Sequence, residues 1–200
     1  MRTLDVEGAI AALRAGEVVA LPTDTVYGLG AALADPAAVA RLFAVKDRPT
    51  AVALPVVLGD ADQVAALGVA WTPAAARLAA ALWPGALTIV VGAPGELAAR
   101  VGGRDSLGLR VPDDAAVRAI ARAVGPLALT SANAHGEPPA TTAAQVRAAF
   151  GAGVAGVVDG GTRDGAVSTV VDLSGPTWVL RRAGAVSPER LAALLGEPAG

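Results

Sequence analysis

Every apolar run in this chain is soon cut by a Gly, a Pro or a charge. That feature excludes whole architectures at once. A membrane-spanning helix needs roughly 18–20 consecutive apolar residues. No stretch approaches that length, so no membrane partner is expected. What remains is a series of short elements, each burying one face against another. Hydrophobic residues make up 54% of the chain and aromatics only 3%. The buried faces must therefore be Ala, Val and Leu, which lets helices and sheets approach closely. Two hundred residues of this kind predict one domain spanning 1–200, able to hide about 70–75% of its unfolded surface.

Between the interruptions, helical and strand-like patterns alternate. Residues 6–15 read as a helix closed by Gly16, and 17–22 as a buried strand. Asp35-Pro36 opens a helix as N-cap plus first-turn proline, running to about Lys46. Strand-like runs follow at 54–58, 86–92, 106–111 and 126–130. Helices are expected at 60–67, 73–82 and 113–124, the last from its apolar spacing at Val117, Ile120, Ala121 and Val124. Thr142 and Gln145 form a capping-box pair for a helix to about Phe150, stopped by Gly151. Strands near 154–158, 167–173 and 177–181 precede a last helix at Ser187-Pro188. There Val186 and Leu191 stand at hydrophobic-staple positions. The pattern is that of an α/β or α+β domain, and the closely spaced late strands argue for a mixed sheet rather than a purely parallel one.

Cysteine is absent, which excludes disulfides, thiolate metal sites and cysteine nucleophiles and fits a reducing compartment. The N-terminal MRTLDVEGAI has no apolar signal region, so a cytoplasmic location is expected. A net charge of −2 argues against a globally basic nucleic-acid binder while leaving room for a basic cleft. Within that balance stand fifteen Arg and a single Lys, Lys46.

Five segments could carry chemistry, and each has an ordinary structural reading beside the functional one. Pro22-Thr23-Asp24-Thr25-Val26-Tyr27-Gly28-Leu29-Gly30 follows a buried strand. It is either a ligand loop whose glycines admit close backbone approach or a strand-exit loop capped by its own polar side chains. Lys46-Asp47-Arg48-Pro49 ends a helix on whose inward stripe Val39, Leu42, Phe43 and Lys46 share a face. Two cations there suit a polyphosphate, or they complement the helix dipole. Arg110 ends an apolar strand, where its fork could take a carboxylate or phosphate, or snorkel to solvent. Thr130-Ser131-Ala132-Asn133 leads through Gly136-Glu137-Pro138 to Thr141 and Thr142 at a helix N-terminus. That is an anion site or a polar loop. Ser168-Thr169 and Arg181-Arg182 would close the same cleft, or form a plain hairpin. His135, the only His, has no partner at triad spacing and reads as a loop residue.

The order of these segments is more specific than any one of them. PTDTVYGLG, KxRP, LWPGALT, LRVP, TSANxxGxP, STVVD and RxGAV, from about Leu21 to Val186, resemble the threonylcarbamoyl-AMP synthase (YrdC-like) family. The resemblance implies a twisted mixed sheet flanked by helices around a deep, positive cleft, in the short single-domain form. It implies condensation of L-threonine, bicarbonate or CO₂ and ATP, with Mg²⁺, to threonylcarbamoyl-AMP and pyrophosphate. The product would pass to a tRNA threonylcarbamoyl transferase. Carried over by motif, Lys46 and Arg48 would be the catalytic pair on the ATP phosphates. Thr25, Arg110, Thr130, Ser131 and Thr169 would meet threonine. Asn133, Thr141, Ser168 and Arg182 would meet ATP, with Arg181 an alternative to Arg182. Val52 stands where many relatives carry Asn, His or Lys.

This chemistry needs no side-chain nucleophile, because the substrate carbamate attacks. Positioning and charge stabilisation suffice. The alternative is an RNA-binding or ribosome-associated module using the same basic cleft, with weak RNA binding. Against it stand the charge of −2 and the lack of an aromatic platform. A carbamoyl-transfer domain of the hydrogenase-maturation kind would share the fold but sits in longer, cysteine-bearing chains.

Overall fold

The computed structural model describes residues 1–47, 53–133, 137–151, 153–163 and 167–196. Arg48, Val52 and His135 lie outside the described residues. Among those described, ten strands form one mixed sheet. They are β1 (Arg2–Leu4), β2 (Val19–Pro22), β3 (Tyr27–Ala32), β4 (Val56–Val57), β5 (Leu87–Gly92), β6 (Ser106–Arg110), β7 (Leu127–Ser131), β8 (Gly156–Val158), β9 (Thr169–Asp172) and β10 (Val179–Arg182). Across the sheet they run β1-β8-β2-β3-β7-β4-β6-β5-β9-β10. Pairings β1–β8, β2–β8, β4–β6 and β5–β9 are parallel and the rest antiparallel, giving the mixed sheet expected from the late strands.

The helices are α1 (Val6–Arg14), α2 (Pro36–Val45), α3 (Pro73–Leu82), α4 (Gly95–Arg100), α5 (Ala115–Val124), α6 (Ala143–Ala149) and α7 (Pro188–Leu195). Most begin where a short polar side chain can cap them. Asp5, Asp35, Thr72, Asp114, Thr142 and Ser187 each accept a backbone N–H from their own first turn. Each such cap is worth about 1 kcal/mol. The Thr142–Gln145 capping box forms with both bonds. No helix among the described residues is long and apolar enough to cross a membrane.

Four local expectations change. Residues 61–67 are a 3₁₀ helix, and strand β1 and helix α4 form where no element was read. The glycine-rich motif is the instructive case. Only its first part turns; Tyr27–Ala32 is a wholly buried strand. Its Gly28 serves strand packing. A Cβ on Gly28 would sit 2.6 Å from Leu129 Cδ2 and 3.0 Å from the Thr130 carbonyl oxygen on β7.

Strand alternation sorts side chains into two layers. Ala20, Leu29, Val56, Ile89, Leu107, Leu109 and Ala128 face the larger core, with α2 and α3. Val19, Leu21, Val57, Leu127 and Leu129 face the opposite layer, with Ala9, Ala12 and Leu13 of α1 and Val117, Ile120 and Ala121 of α5. Helices α1 and α5 cover only part of that second face. Beyond Val57 and Leu129 it opens into a cleft.

Candidate active site

The cleft exists because the sheet outruns its helices. On β5, Leu87, Ile89 and Val91 enter the core, which leaves Thr88 and Val90 facing the other way. On β6, Leu107 and Leu109 are buried in the core, which leaves Ser106, Gly108 and Arg110 on the cleft. Ser168 and Val170 continue the wall beside β5, and Arg182 closes it from β10. The loop at Thr23, Thr25 and Val26, together with Tyr27, Thr130 and Ser131, forms the opposite side. The volume is about 360 Å³, within the usual range for small-molecule sites.

Arg110 is the central cation. It is only 8% exposed. Nε donates to the Gly85 carbonyl at 3.0 Å, Nη1 to Thr25 Oγ1 at 3.3 Å, and Nη2 to Asp24 Oδ1 at 2.5 Å. Burial pushes its pKa down. The negative charge of Asp24 opposes this, and the like charge of Arg182 adds to it. Thr25 is itself set by Thr23, whose Oγ1 lies 2.9 Å away and donates to the Val26 carbonyl.

Arg182 reaches the cleft through a bulge. Val179 and Leu180 pair with Asp172 and Val171, then the register shifts so that Arg182 faces Val170. The extra residue is Arg181, which donates Nε and Nη2 to Asp172 Oδ2, both at 3.0 Å. A bulge re-aims the residue after it. Here Arg182 donates Nε to the Ser168 carbonyl (3.0 Å) and Nη2 to Ser168 Oγ (2.9 Å). Ser168 Oγ in turn lies 3.1 Å from Thr88 Oγ1. Arg182 therefore lines the cleft, and Arg181 is committed to Asp172.

Asp172 ties this corner down. Ser174 N and Oγ donate to its Oδ1 at 2.8 and 2.6 Å. Desolvation acts to raise its pKa, but the Ser174 bonds and Arg181 outweigh it, so its carboxyl sits below the ordinary carboxylate value. A depressed pKa contributes stability above the unfolded value that is lost as pH falls through the folded one. Asp172→Asn is expected to lower unfolding free energy at neutral pH by about 1–2 kcal/mol. That gap should close in acid, as urea unfolding at neutral pH and near pH 3 would show. A gap that does not depend on pH would refute the assignment.

Lys46 caps α2 and is half-buried, on the inward stripe expected for it. Its Nζ donates to the Asn133 carbonyl and, at 3.1 Å, to Asn133 Oδ1, and stands 5.7 Å from the Phe150 ring centroid. Asn133 Oδ1 also accepts from Ser131 Oγ at 2.6 Å. Lys46 thus joins the cleft wall through Asn133 and Ser131.

Of the sequence-derived candidates, Thr25, Arg110, Thr130, Ser131, Ser168 and Arg182 line one cleft, with Lys46 and Asn133 bonded behind Ser131. Thr169 does not line it. Its hydroxyl donates to the Val186 carbonyl and accepts from Val186 N, which ties the 184–186 turn to β9. Thr141 also lies off the wall, its hydroxyl donating to Gln145 Oε1 at 3.1 Å. Thr23 and Tyr27, which the sequence placed in a candidate ligand loop without a role of their own, also line the cleft; sequence reasoning missed Thr88 as a lining residue and Asp24 as the partner of Arg110. Strict alternation along Leu87-Thr88-Ile89 was the available signal for Thr88.

Comparison with known proteins points the same way. The Sua5/YciO/YrdC family model, which carries the description "Telomere recombination", matches residues 11–184. A Mycobacterium tuberculosis protein named putative threonylcarbamoyl-AMP synthase is 39% identical over 197 residues, 98% of this chain and 91% of that one. The Chromohalobacter salexigens threonylcarbamoyl-AMP synthase is 44% identical over 185 residues, 87% of this chain and 95% of that one. The crystal structure of Pyrococcus abyssi Sua5 complexed with L-threonine superposes with a TM-score of 0.91 at 34% identity. It covers 96% of this chain and 58% of that longer one. By motif order, sheet and sequence identity, the chain belongs to the Sua5/YciO/YrdC family.

Proposed function

We propose that this protein is a threonylcarbamoyl-AMP synthase acting on L-threonine, bicarbonate or CO₂, and ATP. The observation that carries the reading is the convergence of Arg110 and Arg182, from β6 and β10, on one hydroxyl-lined cleft with Lys46 behind its wall. Two cations and a row of hydroxyls suit an amino-acid carboxylate beside a polyphosphate. The names of its relatives support the same substrates.

In this reading Arg110, Thr25, Thr130 and Ser131 hold threonine. Arg182, Ser168 and Asn133 meet the nucleotide, and Lys46 and Arg48 grip its phosphates. Thr169 and Thr141 act through the backbone they fix. The threonine ammonium first loses a proton, the free amine nitrogen then bonds to the CO₂ carbon and loses a second, and both protons pass to solvent. A carbamate oxygen then bonds to the α-phosphorus as the bond to pyrophosphate breaks, which makes the enzyme a nucleotidyltransferase. The cations offset charge on the phosphates, and the walls hold the reacting atoms in line. Among the described residues no three His, Asp or Glu side chains gather. Mg²⁺ carried by the triphosphate would supply charge neutralisation there. The product would pass to a tRNA threonylcarbamoyl transferase in the cytoplasm.

The test is pyrophosphate release from the purified protein with ATP, Mg²⁺, threonine and bicarbonate. Release should need all of them, and release independent of threonine sinks the proposal. Lys46→Ala should lower kcat/KM for ATP by about tenfold to a hundredfold, with Arg182 left to hold phosphate. Unchanged ATP kinetics would remove Lys46 from the phosphate grip.

A further inference from the structure

Thr88 and Ser168 place two buried hydroxyls on the cleft wall, each residue 5% exposed. Their oxygens lie 3.1 Å apart. Two hydroxyls carry two protons, and the bond between them uses one. The other has no protein acceptor among the described residues. Apart from that bond, Ser168 Oγ only accepts, from Arg182 Nη2 at 2.9 Å, and Thr88 Oγ1 makes no second one. Buried hydroxyls normally spend their protons. The spare one here is left for the cleft that both residues line.

Arg182 decides which hydroxyl holds it. A hydroxyl that accepts from a guanidinium is polarised into a stronger donor. Ser168 therefore donates to Thr88, and the spare proton sits on Thr88 Oγ1. A Cβ built on Gly108 would stand 3.1 Å from Thr88 Cγ2, so the methyl lies toward β6 and the hydroxyl toward β9. Thr88 also stands between the two arginines. It pairs with Val170 on β9, while the next residue, Ile89, pairs with Leu109, the neighbour of Arg110 on β6. Arg110 is balanced by Asp24 and Arg181 by Asp172, but Arg182 has no carboxylate within ion-pair distance among the described residues. The wall around Thr88 thus carries an uncompensated positive charge, which suits an oxyanion. We propose that Thr88 donates its hydroxyl proton to an anionic oxygen of the ligand held between Arg110 and Arg182, as the last link of an Arg182–Ser168–Thr88 chain. That oxygen belongs to a carboxylate or a phosphate, and binding separates the two. The inference rests on the reading of the cleft as a carboxylate-and-phosphate site given above, and adds a ligand-binding residue to it.

The donor is measurable without catalysis. Calorimetry follows L-threonine and, separately, an ATP analogue with a methylene bridge between its α and β phosphates, given with Mg²⁺. Thr88→Val keeps the shape and removes the hydroxyl. It should weaken one of the two ligands by about tenfold or more, the range of a hydrogen bond to a charged group, and leave the other within about threefold. A loss confined to threonine assigns the oxygen to its carboxylate, and a loss confined to the analogue assigns it to a phosphate. Thr88→Ser, which restores the hydroxyl, should bind both within about threefold of the wild type. Melting curves show that each variant is folded, and Thr88→Ala carries the same comparison should Thr88→Val not fold. A folded Thr88→Val that binds both ligands as the wild type does overturns the inference. So does an equal weakening of both, or one that Thr88→Ser leaves in place, since either reports a shifted wall. A wild type that binds neither ligand overturns the reading of the cleft first, and the inference with it.

Discussion

Arg110→Met should reduce threonine-dependent pyrophosphate release by about a thousandfold and lower the unfolding free energy by about 3 kcal/mol. Both effects come from one geometry. The guanidinium and the Asp24 carboxylate are 10% and 16% exposed and 2.5 Å apart. Removing the cation strands a mostly buried anion, and that stranded charge dominates the stability loss. It also removes the only charged donor in reach of a carboxylate on the β6 side of the cleft among the described residues. The two losses can be separated. Adding Asp24→Asn to Arg110→Met replaces the stranded charge by a neutral amide and should recover about half or more of the stability, while turnover stays lost. Chemical denaturation of the three variants is the measurement. Wild-type stability in Arg110→Met would show that the pair contributes nothing to folding.

Gly184→Ala should be equally damaging although residue 184 is not among those lining the cleft. A Cβ there would lie 2.2 Å from the Val167 carbonyl oxygen and 2.6 Å from both Ser168 C and Thr169 N. All three are backbone atoms, so no side chain can swing aside. The turn at 184–186, held by Thr169 Oγ1 and by Ala185 N on the Val167 carbonyl, has to lift from β9. Ser168, which anchors Arg182, moves with it. A single methyl should therefore cost about 2–4 kcal/mol of stability and leave activity near background. Thermal melts and pyrophosphate release check both. A fully active, fully stable Gly184→Ala would mean the turn is free to shift.

How legible this molecule is in its sequence follows from which forces are local. Helix caps are local, so Asp35, Thr142 and Ser187 mark their helices correctly from neighbouring residues alone. The inward placement of Lys46 follows from helical spacing and needs no tertiary knowledge. Strand β3 was hidden because its Gly28 serves a neighbour, β7, a hundred residues on, and no local signal announces that approach. Asp24 was hidden for the same reason, since its partner Arg110 is 86 positions away. The choice between Arg181 and Arg182 turned on a register shift against β9, which nothing in Leu180-Arg181-Arg182 encodes. The ordered motifs announce that a site exists. Which side chains face it is decided by pairings between distant strands.

That dependence on distant pairing has a consequence for synthesis. Strand β1 lies beside β8, β5 lies beside β9, and the chain crosses nearly the whole sheet between β8 and β9. A ribosome finishes Arg110 and most of the core long before the β9–β10 hairpin emerges. Until then β5 is an open edge and the cleft lacks the wall bearing Ser168 and Arg182. Contacts so far apart in sequence form late and slowly. The nascent protein therefore lacks a complete cleft while it is being made. Its binding competence arrives in one step with its last strands, and a chain cut short before them is an aggregation hazard rather than a weak enzyme.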